Sequence, residues 1–188
     1  PALVSSELVG ACVRVLKRGR LAPAFHSLRL MTVIAELVAS RPEISSEPFG
    51  SHLAQLCALL RPRLDSDEIV AVACCHLINE IARSPVHAPH LLALGVVEMV
   101  SDAATRHLAD VARDAPMPVV SQTAVFALST ICGSADACEL FTARGFSMRV
   151  LRALVTLLSS RANPRPAETD GRLCNLVRLA ATHSNSLN

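Results

Sequence analysis

Cysteine and histidine are the residues of this chain best suited to chemistry. Seven cysteines occur, at Cys12, Cys57, Cys74, Cys75, Cys132, Cys138 and Cys174. Cys74, Cys75 and His76 are consecutive, and His87-Ala88-Pro89-His90 follows in the next break. Such a grouping would suit zinc or a redox pair. Zinc sites use four ordered ligands, usually with cysteine pairs at short fixed spacing, and no CxxC occurs here. The prolines around the histidines are natural helix separators, so the His pair is expected at a solvated corner. Adjacent Cys74 and Cys75 read as small packed residues. An odd number of cysteines, mostly inside apolar helical runs, points to reduced, buried thiols and to the cytoplasm or nucleus. No Gly-rich phosphate loop, nucleophile elbow or His/Glu zinc motif is present. The expectation is a non-enzymatic chain without catalytic residues, metal or cofactor.

The elements that carry these residues are helical by composition and period. The chain has 188 residues, 51% hydrophobic, and lacks Trp and Tyr. Leu, Ala and Val dominate, as on packed helices; a β-sandwich would show more aromatics and alternating Thr. Eighteen basic and 16 acidic residues leave a net charge of +2. That balance gives little pull toward nucleic acid or anionic membrane. Lys17-Arg18-Gly19-Arg20 and Arg61-Pro62-Arg63 follow apolar helices, where cations suit the negative end of the helix dipole. No signal peptide and no unbroken apolar run of about 18 residues is seen.

Apolar residues at helical spacing predict helices over 3–18, 24–39, 51–60, 67–83, 88–94, 96–113, 118–132, 135–143, 147–160 and 169–182, with a short helix near 43–48. Ser5 or Ser6 would cap the first, and Gly19 would end it. The second is apolar nearly all round and should lie between neighbours. Asp65-Ser66-Asp67-Glu68 announces the 67–83 helix, with Ser66 as the cap candidate.

Two stretches repeat each other. Ala73…Leu77…Ile81-Ala82 is followed by Gly95-Val96-Val97-Glu98-Met99-Val100. Ala124…Leu128…Ile131-Cys132 is followed by Gly145-Phe146-Ser147-Met148-Arg149-Val150. Leu77 and Leu128 are 51 residues apart, and Gly95 and Gly145 are 50 apart. A period of roughly 40 to 50 residues marks helical repeats. Weaker copies fall at 24–60 and 169–182.

A short helix ending at Gly, a second helix, and a third carrying Ala-x-x-x-Leu resemble the armadillo repeat of the armadillo/HEAT superfamily. The spacings exceed the usual armadillo length of roughly 42 residues, so added residues would lie in loops or lengthened helices. The resemblance implies an all-α, right-handed α-solenoid of about three to four three-helix repeats. Residues 1–20 would close a preceding repeat, 21–64, 65–116 and 117–162 would be repeats, and 163–188 a partial terminal one. Pro1 and the apolar terminal helices suggest a fragment of a longer solenoid.

In armadillo proteins the third helices line a concave groove. Aligned on the Leu of each third helix, the groove pairs here are Met31 with Ala35, Cys75 with Asn79, Phe126 with Thr130 and Cys174 with Arg178. Gln122 lies one turn before Phe126. The importin-alpha type uses Trp and Asn at these places; no Trp and a single Asn, Asn79, match. The resemblance therefore implies binding of a peptide or amphipathic helix of a partner protein by mixed apolar and polar contacts. An alternative is a structural subunit packed by its ends or edges, in which Leu8, Val13 or Leu179 matter more than the groove. A nucleic-acid-binding HEAT-like module is disfavoured by near-neutral charge and scarce aromatics.

Overall fold

The computed structural model describes residues 5–41, 47–109 and 118–133, and Asp136, Glu139, Gly171, Cys174 and Arg178 individually. Every regular element among them is helical, so the chain is all-α. The helices expected at 135–143, 147–160 and 169–182, and Leu179, lie outside the described residues except at those single positions. Contacts divide the chain into two compact units, Pro1–Val96 and Val97–Asn188.

In the first unit, α1 is Ser6–Lys17, α2 Leu21–Ser40, α3 Glu47–Gly50 and α4 Leu53–Leu60. A 3-10 turn at Arg61–Arg63 leads to α5, Glu68–Ala82, and α6, Ala88–Ala93. In the second, α7 is Val96–Ala109, begun at the boundary residue, and α8 is Val119–Ile131.

α1 starts where Ser5 Oγ accepts the Leu8 N–H at 3.2 Å. Of the two candidate caps, Ser5 is the one used, because Ser6 turns outward: its Oγ lies 3.2 Å from His52 Nε2, and His52 Nε2 also donates to Ser6 O at 3.1 Å. Gly10 makes that approach possible, since a Cβ there would sit 3.1 Å from His52 Nε2. The stripe Val9, Cys12, Val13 and Leu16 is buried. It faces α2, α3 and α4.

α2 begins without a side-chain cap and carries Pro23 in its first turn, where an N–H has no intrahelical partner anyway. It packs most extensively on α5 and next on α1, burying Leu28, Met31, Ile34, Ala35 and Val38. Each such large side chain contributes about 1.5–3 kcal/mol by leaving water. The expectation of burial all round is corrected on one side: Leu30 is 43% and Val33 52% exposed. At 20 residues and mean hydropathy 1.3, α2 is long and apolar enough to cross a bilayer by length and composition. Core helices of globular proteins meet the same test, and its packed face is of that kind.

Pro62 tightens the end of α4 into the 3-10 turn. Arg63 then turns back: Nη1 donates to Leu59 O at 2.6 Å and Nη2 donates to Leu16 O. One guanidinium thus caps the C-terminal ends of both α4 and α1. The cap of α5 is Asp67 and not Ser66; Asp67 Oδ1 accepts from Ile69 N at 3.0 Å, while Ser66 Oγ donates back to Arg63 O. α6 stops at Gly95, whose φ of +70° is the left-handed conformation that side chains disfavour.

The His pair does not share a solvated corner. His87 is 3% exposed and meets the Phe49 ring edge-on, centroids 6.1 Å apart. His90 is exposed, its Nδ1 donating to Val86 O at 3.0 Å.

Candidate functional site

α5 and α8 hide and expose the same positions. On α5 the buried residues are Val70, Ala71, Ala73, Cys74, Cys75, Leu77, Ile78, Ile81 and Ala82. On α8 and its cap they are Val120, Ser121, Thr123, Ala124, Val125, Ala127, Leu128, Ile131 and Cys132. Each α8 position lies 50 residues beyond its α5 counterpart. Gly95 and Gly145 have the same spacing in the sequence.

This corrects the register read from Leu77 and Leu128, which gave 51. The counterpart of Leu77 is Ala127, and that of Leu128 is Ile78; all four are fully buried. Aliphatic residues at adjacent buried positions made the wrong pair look equivalent.

The remaining arc of α5 carries Ile69, Val72, His76, Asn79, Glu80 and Arg83. At 100° per residue these share about a third of the helix circumference. The same arc of α8 carries Val119, Gln122, Phe126, Ser129 and Thr130. Both begin apolar, with Ile69 62% and Val119 52% exposed, and become polar toward the C-terminal end. On α2, His26, Arg29, Val33, Glu36 and Leu37 occupy the corresponding arc 43 residues before α5.

Several expected groove residues therefore change standing. Met31, Ala35 and Cys75 are core residues, closed in by their neighbours. Asn79, Gln122, Phe126 and Thr130 are half-buried on the outward arcs, and Cys174 and Arg178 are exposed. Sequence alignment missed His76, the counterpart of Phe126, and Val72, the counterpart of Gln122. The one-residue slip had put Cys75 in the place of His76. The absence of large apolar residues at 69, 72, 76, 79, 80 and 83, apart from Ile69 and Val72, was the signal available.

The polar end of the α5 arc is preset. Asn79 Nδ2 donates to Glu80 Oε1 at 2.8 Å, and Arg83 Nη1 donates to Glu80 Oε2 at 2.7 Å. Glu80 is only 15% exposed, so its two oxygens fix both neighbours in a partly dry setting. A preset amide with a charged neighbour suits recognition of polar or backbone groups.

Cys74 and Cys75 lie on the buried side of α5, and Cys132 is buried at the end of α8. Burial pushes the Cys57 thiol up to about 11, with nearby Arg61 acting weakly against it. Burial also raises Cys12, Cys74 and Cys75, and Cys75 adds to the rise at Cys74. Neutral, enclosed thiols are poor nucleophiles and poor ligands. Among the described residues no three His, Cys, Asp or Glu side chains gather as metal ligands would.

No protein-family model, no curated protein and no solved structure matches the chain.

Proposed function

We propose that this chain is a non-enzymatic protein-interaction module of armadillo-like repeats, forming an α-solenoid that holds a peptide or helix of a partner protein. The observation that carries the reading is the shared burial pattern of α5 and α8 at a step of 50, with a half-open arc left on each. Repeats that stack on neighbours leave one recurrent arc for ligands. The arcs here combine apolar residues, Ile69, Val72, Val119 and Phe126, with Asn79, Glu80, Arg83, Gln122 and Thr130. That mixture fits an amphipathic helix or an extended segment. The candidate contact residues are Val72, His76, Asn79 and Glu80 on the α5 arc of the first unit and, taken separately, Gln122, Phe126, Ser129 and Thr130 on the α8 arc of the second; Cys174 and Arg178 are further candidates in the second unit. Work in the cytoplasm or nucleus belongs to the same reading. The test is affinity capture with the wild type and an Asn79→Ala/Phe126→Ala double variant of equal fold, followed by titration of the captured partner. Loss of that partner with the variant supports the reading; retention by both sinks it.

A second reading is a structural subunit packed by its edges in a large assembly. Leu30 and Val33 on the open side of α2 favour it. Leu30→Asp/Val33→Asp would then release the assembly while Asn79→Ala/Phe126→Ala would not. Val13→Asp is no test, because Val13 is 2% exposed and a buried charge would unfold the unit.

A further inference from the structure

We propose that the basic corner where α1 ends and the 3-10 turn begins docks an acidic segment of a partner protein, through residues outside the α5 and α8 arcs. Arg63 builds the corner. Its guanidinium holds Leu59 O and Leu16 O together, although Arg63 and Leu16 are 47 residues apart in sequence. Lys17, Arg18 and Arg20 follow Leu16 directly, and Arg61 stands two residues before Arg63. All four are exposed. None of them forms an ion pair among the described residues, where Arg83 with Glu80 is a pair elsewhere.

Helix-end electrostatics account for only part of this set. Lys17, Arg18 and Arg61 sit at C-terminal ends, which favour cations. Arg63 already satisfies a carbonyl at each of those ends. Arg20 is the N-cap residue of α2, where the dipole disfavours a cation, and its side chain makes no cap bond. The Arg63 bond to Leu16 O brings the segment carrying Lys17, Arg18 and Arg20 next to the turn that carries Arg61, whose guanidinium reaches toward Gly95, and carboxylates of a partner would complement these exposed cations. Asp65, Asp67 and Glu68 follow the turn and border the corner with acid, which would orient a docked acidic chain away from the start of α5.

Nucleic acid fits less well. Single-strand sites pair cations with aromatic stacking platforms; Phe49 is buried, Phe25 is half-buried on α2 beneath Arg29, and the chain has no Trp or Tyr. Four cations at one corner also make no track along a phosphate backbone.

The experiment uses the whole chain and two probes, a fluorescein-labelled glutamate-rich peptide and a labelled single-stranded oligonucleotide of matched charge. Anisotropy is read at low and high salt. Expected is salt-sensitive peptide binding that Arg18→Glu/Arg20→Glu/Arg61→Glu weakens about ten-fold or more. Arg29→Glu/Arg41→Glu and Asn79→Ala/Phe126→Ala should leave it unchanged. If the charge reversal fails to fold, Arg18→Gln/Arg20→Gln carries the same prediction with a smaller loss. No peptide binding at low salt, equal loss in the reversal and its control, or tighter binding of the oligonucleotide overturns the proposal. Because the groove variant is included, failure here and failure of the groove reading are separately visible.

Discussion

Arg63 ties two backbone carbonyls, Leu59 O and Leu16 O, at one end of the first unit. Charged hydrogen bonds of this kind contribute about 1.5–3 kcal/mol each where water is partly excluded. Arg63→Ala should therefore lower stability by about 2–4 kcal/mol in urea denaturation. Arg63→Lys should lie between, since an ammonium lacks the fork that spans two carbonyls. A loss under about 0.5 kcal/mol for Arg63→Ala would mean the ends of α1 and α4 do not rely on it. The cysteines make a second residue-scale prediction. Cys12, Cys57, Cys74, Cys75 and Cys132 should resist a thiol reagent until the chain unfolds, while exposed Cys174 reacts in the native state. The pH dependence follows with its sign. The folded Cys57 thiol titrates above its ordinary value of 9.0, at about 11. Its contribution to stability is complete below pH 9 and is lost as pH rises from there through 11, because only the unfolded chain releases the proton early. Melting temperature should stay level with respect to this group below pH 9 and fall above it. A thiol-dependent rise in stability above pH 9 would contradict the enclosed placement. The sequence already suggested buried thiols, since most lie in apolar helical runs. It did not suggest the long-range reach of Arg63, because nothing in local pattern connects positions 16 and 63.

At the scale of the element, α5 shows what periodicity conveys and where it slips. The boundaries expected at 67–83 and observed at Glu68–Ala82 agree because an acidic first turn and Ser84-Pro85 punctuate both ends. The face was harder to read. Small residues at 71, 73, 74 and 75 make α5 look apolar over most of its circumference, so a shift by one residue changes little in the pattern. Burial removes the ambiguity, with Cys75 at 0% and His76 exposed. Two substitutions measure that register. Cys75→Asn should cost about 1–3 kcal/mol, the penalty for burying an amide without partners, while His76→Asn should stay within about 0.5 kcal/mol. The reverse order would favour the step of 51 that pairs Leu77 with Leu128. Leu77→Ala and Leu128→Ala should each cost about 2–5 kcal/mol, as both side chains are fully enclosed. α2 illustrates the converse error. Its pattern suggested burial all round, yet Leu30 and Val33 face solvent, because apolar content alone does not say how many neighbours a helix has.

At the scale of the whole molecule, the all-α class was legible from composition and from Gly and Pro punctuation. The burial pattern of α5 recurs on α8 at a step of 50, one residue from the step of 51 between Leu77 and Leu128. Repeats, their arrangement into a solenoid and its use as a binding surface remain our proposal, resting on that recurrence. Half-buried outward positions were legible where a polar or aromatic side chain broke an aliphatic run, as at Asn79 and Phe126. His76 was passed over because the one-residue slip put Cys75 in its place. The measurement that tests the central claim most directly is capture from native extract by the wild type and by a His76→Ala/Asn79→Ala/Phe126→Ala/Thr130→Ala variant, with matched melting curves and titration of the captured protein. We expect a partner segment that binds the wild type and is lost from the variant without loss of fold. A partner retained with undiminished affinity by the variant, or none captured by either, would contradict the account.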